Sequence, residues 1–204
     1  MNTPDILDEK LVERNPIKQF QLWFADAVAA KLPLPEAMNL ATATPEGRPS
    51  SRMVLLKQVD DEGFVFFTNY HSAKAVQLEN NPYAALVFYW PQLERQVRVE
   101  GKVERTSAQE SQEYFQTRPR ESQIGAWASP QSSVIADREV LEQRARELED
   151  YYRDRAIECP EYWGGYRLHP DRIEFWKGRV GRLHDRLVYE RSSGDGWTIK
   201  RLAP

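Results

Sequence analysis

The chain has 204 residues, 41% of them hydrophobic, and a formal net charge of −3. This is the composition of an ordinary globular domain with a sizeable core, and the acidic balance argues against a nucleic-acid-binding domain, which is normally basic. Cys159 is the single cysteine, which excludes an intrachain disulfide and a thiolate metal cluster. The charged N-terminus carries no signal-type apolar segment, and no apolar run is long enough to span a membrane. We therefore expect a cytoplasmic protein without membrane contacts.

The N-terminal half predicts one helix and then mainly strands. Residues 1–14 are polar, and we expect them to be flexible ahead of a single domain over residues 15–204. Asn15-Pro16 is a typical helix start, with apolar residues at helical spacing after it. A short helix is predicted to begin at Ser72. Strands are predicted over residues 38–44, 50–59, 64–69, 83–90 and 94–105.

The C-terminal half predicts three helices and then strands again. Ser107 and Glu110 form a capping box that opens a helix through about Thr117, and further helices are predicted over residues 121–129 and 137–155. Strands are predicted over residues 165–169, 172–177, 184–191 and 197–204. Strands in hairpin order with helices between them indicate an α+β fold, mainly antiparallel β, in which a barrel or strongly curved sheet carries peripheral helices.

Common cofactor and catalytic motifs are absent from the sequence. It contains no glycine-rich nucleotide loop, no H-E-x-x-H and no G-x-S-x-G. With three histidines in the chain, a histidine metal site is weakly supported, and we expect no metal. Any bound phosphate must then be held by side chains and helix ends.

Three groups of residues could hold an anion. Arg52 and Lys57 bracket the strand "RMVLLK", whose apolar interior predicts burial on both faces, although two surface charges are the alternative. Ser72 and Lys74 lie where a helix N-terminus favours a phosphate. The third group has a spacing of four that would share one helix face, with Pro119 interrupting it, and the alternative is an ordinary surface cluster: Tyr114, Arg118 and Ser122.

The segment "FWKGRVGRLHDRLVYE", residues 175–190, concentrates positive charge. In an extended chain Arg182, His184 and Arg186 lie on one face. Three potential cations repel each other unless an anion or an aromatic system covers them. The alternative is a solvated edge strand.

Six segments in this order resemble the pyridoxine (pyridoxamine) 5′-phosphate oxidase family: "RMVLLK", "FFTNYHSAKA", "NPYAALVFYW", "RQVRVEG", "YFQTRPRESQIGAWAS" and "IEFWKGRVGRLHDR". The resemblance extends from Asn15 to Pro204. It implies an FMN-binding split barrel that forms a homodimer with FMN at the subunit interface. It also implies oxidation of pyridoxine 5′-phosphate or pyridoxamine 5′-phosphate to pyridoxal 5′-phosphate, with oxygen reduced to hydrogen peroxide and ammonia released from the amine.

The resemblance also assigns residues. The residues implied in FMN binding are Arg52, Met53, Val54, Leu55, Leu56, Lys57, Phe67, Thr68, Lys74, Gln96, Gln131, Ser132, Trp176 and Arg186. The residues implied in substrate binding are Lys57, Tyr114, Arg118, Ser122, Arg182 and His184. Arg182 and His184 are the implied catalytic residues, with Arg182 expected to matter more for the chemical step.

Three positions depart from the family pattern. Ala73 replaces an arginine expected at the FMN phosphate, which predicts weaker FMN retention. Phe67 replaces a frequent tyrosine, and Lys177 stands where glutamine or glycine is usual. Two alternatives to the oxidase stay open: a split-barrel flavoenzyme with another substrate, as in the phenazine-pathway relatives, and a non-catalytic carrier of FMN or pyridoxal phosphate.

Overall fold

The computed structural model describes residues 6–192, 194 and 196–204. Its α-helices are α1 (Pro16–Ala29), α2 (Ala73–Asn80), α3 (Ala108–Thr117), α4 (Arg120–Ala128) and α5 (Glu139–Tyr151). Its strands are β1 (Ala37–Ala43), β2 (Pro49–Leu55), β3 (Gln58–Asp60), β4 (Gly63–Asn69), β5 (Tyr83–Trp90), β6 (Arg95–Arg105), β7 (Trp163–Lys177), β8 (Asp185–Arg191) and β9 (Trp197–Arg201).

All the described strands belong to one antiparallel sheet in the order β2-β1-β5-β6-β7-β4-β3, and β8 and β9 extend it from β7. The long strand β7 pairs with β4 through its first half and with β8 through its second half. The pairing of β6 with β7 shifts register between Glu100 and Gly101, where Gly101 is opposite Pro170. Such a β-bulge bends the strand that carries it. A side chain at Gly101 would lie 2.0 Å from the His169 carbonyl oxygen, so only glycine fits there. The predicted α+β fold, an antiparallel split barrel with peripheral helices, is confirmed.

The main core lies inside the curved sheet and is closed by α1. Alternate residues of β1 and β5 are buried, as the two-residue strand period requires. The Phe20 ring of α1 lies 4.9 Å from Phe64 and 4.8 Å from Phe88, between centroids. The predicted helix start is confirmed, because Asn15 Oδ1 accepts a hydrogen bond of 2.8 Å from the Ile17 N–H.

A second, smaller core joins helices α3 to α5 to the sheet. Phe115 of α3, Ile124 of α4, Ile157 and Trp163 of β7 form its buried centre. Because Trp163 begins β7, this core fixes α3 and α4 beside the first half of that strand. The side chains of α3 are thereby placed near β4.

The prediction that "RMVLLK" is buried on both faces is wrong. Strand β2 is an edge strand of the sheet, and Met53 is 63% exposed. Met53 and Leu55 therefore face outward from an edge, whereas Val54 packs partly buried against the main core and Leu56 is buried in it. The single strand predicted over 50–59 is also divided, because the chain turns at Lys57, whose N–H donates to the Val65 carbonyl.

The prediction of one extended face for Arg182, His184 and Arg186 is also wrong. Strand β8 begins at Asp185, and Val180–Arg182 forms a 3-10 turn. Gly181 and Arg182 have φ angles of 69° and 62°, which reverse the chain and end the two-residue alternation. In contrast, the strands predicted over 165–169 and 172–177 are one strand, since the bulge accommodates Pro170.

Part of the N-terminal segment lies against the barrel. Leu7 is 3% exposed, and Arg201 donates to the Leu7 carbonyl and to the Glu9 carboxylate. Residues 1–5 lie outside the described residues, and both the flexibility of residues 1–14 and the single-domain boundary at residue 15 stay predictions. Within the described part of the chain, no helix has the length and apolar character needed to cross a membrane.

Candidate active site

A cavity of about 330 Å³ lies between the edge strand β2, strand β4, the start of α2, helix α3 and the start of β7. Four of its lining residues are cations and none is acidic, so the cavity favours an anionic ligand. Its lining consists of Arg52, Met53, Val54, Leu55, Lys57, Phe67, Thr68, Lys74, Tyr114, Arg118, Gln131 and Trp163. All of these except Trp163 were predicted as site residues from the sequence.

Arg52 is held in the cavity wall by neutral groups only. One guanidinium nitrogen donates to the Leu40 carbonyl at 3.1 Å and to Thr42 Oγ1 at 2.7 Å, and the other donates to Ser50 Oγ at 2.7 Å. Because no carboxylate among the described residues compensates its partial burial, desolvation lowers the pKa of Arg52. The charge of Arg52 is therefore oriented but not neutralised.

Lys74 lies at the N-terminus of α2, where Ser72 is the confirmed N-cap and accepts from the Ala75 N–H at 3.4 Å. Its ammonium donates to Thr68 Oγ1 and to Gln131 Oε1, each at 3.0 Å. Burial, together with the nearby charge of Arg52, lowers the pKa of Lys74 to about 8. The helix N-terminus, this ammonium and Arg52 add three positive contributions at one place.

The far wall of the cavity is aromatic. The rings of Phe67 and Tyr114 stack at 4.0 Å between centroids, and Phe67 also stacks with Trp163 at 5.4 Å. Arg118 follows α3 as its C-cap, and its guanidinium lies over the Trp163 ring. Its Nη1 atom is buried without a hydrogen-bond partner among the described residues. A guanidinium nitrogen that is buried and unsatisfied beside a cavity is a donor that a phosphate oxygen would satisfy.

Three predicted residues stand beside this cavity without lining it. Leu56 is buried in the main core. Ser122 lies in the first turn of α4, with its N–H bonded to the Pro119 carbonyl. Ser132 accepts a hydrogen bond of 3.2 Å from the Ala73 N–H, and so covers the first free amide of α2.

A second group of predicted residues lies at the opposite end of β7. Gln96 and Trp176 are paired across β6 and β7, and Trp176 is also paired with Arg186 across β7 and β8. The His184 ring lies 4.6 Å from the Trp176 ring, and its Nδ1 accepts from the Arg179 N–H at 3.0 Å. A neutral His184 therefore carries its proton on Nε2.

Arg182 and Arg186 differ sharply in their surroundings. Arg182 is exposed on the turn, and its left-handed φ of 62° is a strained conformation for a non-glycine residue. Arg186 is fixed by the buried carboxylate of Glu174. Among the described residues, no hydrogen bond or ring contact joins this second group to the cavity, so one chain presents two separate groups of predicted site residues.

The sequence did not single out Trp163. The feature of the sequence that could have drawn attention to it is the glycine pair that follows it. A side chain at Gly164 would lie 2.1 Å from Tyr70 Oη, so the start of β7 is packed tightly against α3 and β4. Among the described residues, no histidine, cysteine and carboxylate side chains form a cluster that could hold a metal ion, and the absence of a metal site stays a prediction.

Comparison with known proteins gives the class of protein. A family model described as pyridoxamine 5′-phosphate oxidase matches residues 24–152. A second, described as the pyridoxine 5′-phosphate oxidase C-terminal dimerisation region, matches residues 163–204, which supports homodimer formation.

Curated relatives agree over nearly the full length. The pyridoxine/pyridoxamine 5′-phosphate oxidase of Trichormus variabilis is 55% identical over 99% of this chain and 94% of its own. That of Paraburkholderia xenovorans is 58% identical over 97% of this chain and 93% of its own. Among solved structures, PhzG from Burkholderia lata 383, in complex with tetrahydrophenazine-1-carboxylic acid, has a TM-score of 0.92 and 34% identity over 98% of both chains.

The chain therefore belongs to the pyridoxine/pyridoxamine 5′-phosphate oxidase family. It is an enzyme of the oxidoreductase class, and the family implies a flavin cofactor.

Proposed function

We propose that this enzyme oxidises pyridoxine 5′-phosphate or pyridoxamine 5′-phosphate to pyridoxal 5′-phosphate in vitamin B6 salvage, with FMN as cofactor and oxygen as acceptor. The observation that carries the proposal is the cavity with four cations, no acid and the unsatisfied Nη1 of Arg118. Both the cofactor and the substrates carry a phosphate group, so this donor set fits both. The curated relatives at 55–58% identity bear the name of this activity.

The cofactor side of the cavity is assigned to β2, β4 and α2. Lys74 and the N-terminus of α2 would hold the FMN phosphate, with Arg52, Thr68 and Gln131 beside them. Bound FMN supplies a two-electron acceptor that oxygen can reoxidise. The outward-facing edge of β2 would lie against it.

The substrate phosphate is assigned to Lys57, Tyr114, Arg118 and Ser122. Arg118 offers a planar fork suited to two phosphate oxygens, and Tyr114 is oriented by stacking on Phe67. Such a clamp would fix the ring of the substrate and the carbon to be oxidised in position.

The second group of residues would complete the site from the other subunit of a homodimer. In this arrangement Gln96, Trp176 and Arg186 belong to the cofactor side, whereas Arg182 and His184 contact the substrate ring. The Nε2–H of a neutral His184 can donate to the phenolic oxygen of the substrate, and Arg182 can hold the same oxygen by a charge-assisted hydrogen bond, so that the ring is oriented for oxidation. The exposure of Arg182 in a single chain agrees with a site that is incomplete without a partner.

The overall reactions balance in atoms and electrons. Pyridoxine 5′-phosphate and oxygen give pyridoxal 5′-phosphate and hydrogen peroxide. Pyridoxamine 5′-phosphate, oxygen and water give pyridoxal 5′-phosphate, hydrogen peroxide and ammonia. In both reactions the substrate loses two electrons and oxygen gains them.

The likeness to PhzG supports a second candidate, a flavoenzyme that acts on a reduced phenazine carboxylic acid. The two candidates are separated by comparing kcat/KM of the FMN-loaded protein for pyridoxine 5′-phosphate and for tetrahydrophenazine-1-carboxylic acid. We expect turnover of the phosphate ester and little of the phenazine. The reverse preference would overturn the proposal, and a yellow protein that turns over neither would favour a carrier.

A further inference from the structure

Trp163 lines the cavity but has no assigned role in the proposed function. It is the first residue of β7, it is 7% exposed, and its ring centroid lies 4.6 Å from Cζ of Arg118. The ring of Phe115 lies on the same guanidinium at 5.5 Å. Arg118 therefore contacts two aromatic rings.

Arg118 is half-buried, and it differs from Arg95 and Arg167, the two arginines that are buried in the described part of the chain. Arg95 pairs with Asp26 at 2.6 Å, and Arg167 pairs with Asp60 and with Glu110. No carboxylate pairs with Arg118 within the described ranges, and its Nη1 has no partner there. Since no hydrogen bond to another described residue fixes the Arg118 side chain, the aromatic contacts are what hold its guanidinium at the cavity.

Trp163 is itself held rigidly. Its ring is nearly parallel to those of Phe67 and Tyr114, at interplanar angles of 11° and 9°, and Phe115 packs edge-on against it at 5.1 Å. The close approach of Tyr70 Oη to Gly164 fixes the adjoining backbone. A flat face in a fixed place is suited to orienting a planar guanidinium.

We infer that Trp163 is a positioning residue that holds Arg118 with its free donors toward the phosphate group of the substrate. The inference deepens the proposed function and rests on it for the nature of the ligand. The tryptophan face restricts the rotamers of Arg118 before the ligand arrives, so binding loses less conformational freedom. A leucine at position 163 would fill part of the space without holding the charge.

The test uses the FMN-loaded protein and four variants: Trp163→Leu, Trp163→Phe, Arg118→Met and the double variant Trp163→Leu/Arg118→Met. For Trp163→Leu we expect KM for pyridoxine 5′-phosphate and Kd for inorganic phosphate to rise about tenfold, with kcat changed less. Trp163→Phe keeps an aromatic ring, so its KM and Kd should lie between those of the parent protein and those of Trp163→Leu. In the Arg118→Met background the same leucine should change Kd by less than about twofold, because the residue that it acts through is gone.

Trp127 provides a matched control, since it packs at the edge of the same second core and does not line the cavity. Trp127→Leu should leave the Kd for inorganic phosphate near that of the parent. A loss that is additive with Arg118→Met, or equal in Trp127→Leu and Trp163→Leu, would overturn the inference and leave Trp163 a packing residue.

Failure of the proposed function is separable from failure of this inference. If the parent protein did not oxidise B6 phosphates, the proposed function would fall, while the Kd for inorganic phosphate across the same variants would still decide the role of Trp163. Circular dichroism melting curves identify any variant that does not fold. If Trp163→Leu does not fold, the Kd of Trp163→Phe, the smaller change, is compared with that of the parent protein instead.

Discussion

Arg186 and Glu174 form a two-pronged ion pair between neighbouring strands, with both nitrogen–oxygen distances at 3.0 Å. The Glu174 side chain is 2% exposed, whereas that of Arg186 is 26% exposed. Arg98 approaches the same carboxylate at 3.5 Å. The pair thus fixes a predicted cofactor-binding arginine through a buried acid.

This asymmetry of burial predicts unequal effects of mutation. Arg186→Leu leaves the buried Glu174 carboxylate with Arg98, at 3.5 Å, as its remaining ion-pair partner among the described residues, and we expect it to lower the free energy of unfolding by about 3 kcal/mol. Glu174→Gln leaves two arginines whose charges water can reach, so it should lower the free energy of unfolding by only about 1 kcal/mol. Urea unfolding midpoints of the apoprotein at unchanged m-value measure both. Equal losses would show that burial of Glu174 does not govern the pair.

The lowered pKa of Lys74 predicts how cofactor binding depends on pH. With a pKa of about 8, the Lys74 side chain of the cofactor-free protein is mostly a charged ammonium at pH 7 and mostly a neutral amine at pH 9. A bound phosphate dianion favours the charged form, so affinity for FMN should fall as pH rises through 8, by up to about tenfold per pH unit. Quenching of flavin fluorescence in titrations of the apoprotein gives Kd at each pH.

Lys74→Met is the control for that pH dependence. It should bind FMN more weakly at pH 7 and lose little more by pH 9. If the variant and the parent declined in parallel, another group would be responsible for the titration.

Ala73 predicts a gain of affinity on substitution. Its N–H already bonds to Ser132 Oγ and its side chain is exposed, and the family resemblance of the sequence implies an arginine at this position. Ala73→Arg should add one charge-assisted contact to the FMN phosphate and lower Kd about tenfold, which corresponds to about 1.4 kcal/mol. Ala73→Gln, of similar length without charge, is the matched control. A gain shared by both variants would assign the effect to length and not to charge.

The separation of the two residue groups predicts complementation between inactive subunits. Lys57→Met/Arg118→Met disables the cavity group, and Arg182→Met/His184→Phe disables the second group. If each site combines groups from two subunits, a mixed dimer contains one intact site and should recover about half of the parent activity per dimer. Differently tagged subunits, co-expressed and purified through both tags, give this dimer. An inactive mixed dimer would place both groups of one site in the same subunit.

Much of the fold was predictable because local signals and tertiary structure agree. Asn15, Ser72 and Ser107 each accept the backbone hydrogen bond that their capping positions predict. The errors lie where tertiary context decides. Met53 is apolar and yet exposed, since its strand lies at the sheet edge, and an apolar pattern does not distinguish the core from an outward-facing edge.

The candidate site divides in the same way. The residues around Lys74 and Arg118 were predicted from motif order, and the structure brings them into one cavity. Trp163 was missed because a tryptophan beside two glycines predicts only tight packing. Arg182 was placed on a strand because the positive φ angles of its turn do not follow from alternation of charges.

The stoichiometry of the reaction in air tests the proposed oxidase activity. FMN-loaded protein is mixed with pyridoxine 5′-phosphate, and oxygen consumption, hydrogen peroxide and pyridoxal 5′-phosphate are followed together. For the proposed oxidase activity we expect one hydrogen peroxide and one pyridoxal 5′-phosphate for each oxygen molecule consumed. A flavin-loaded protein that forms no pyridoxal 5′-phosphate from either B6 phosphate would contradict it.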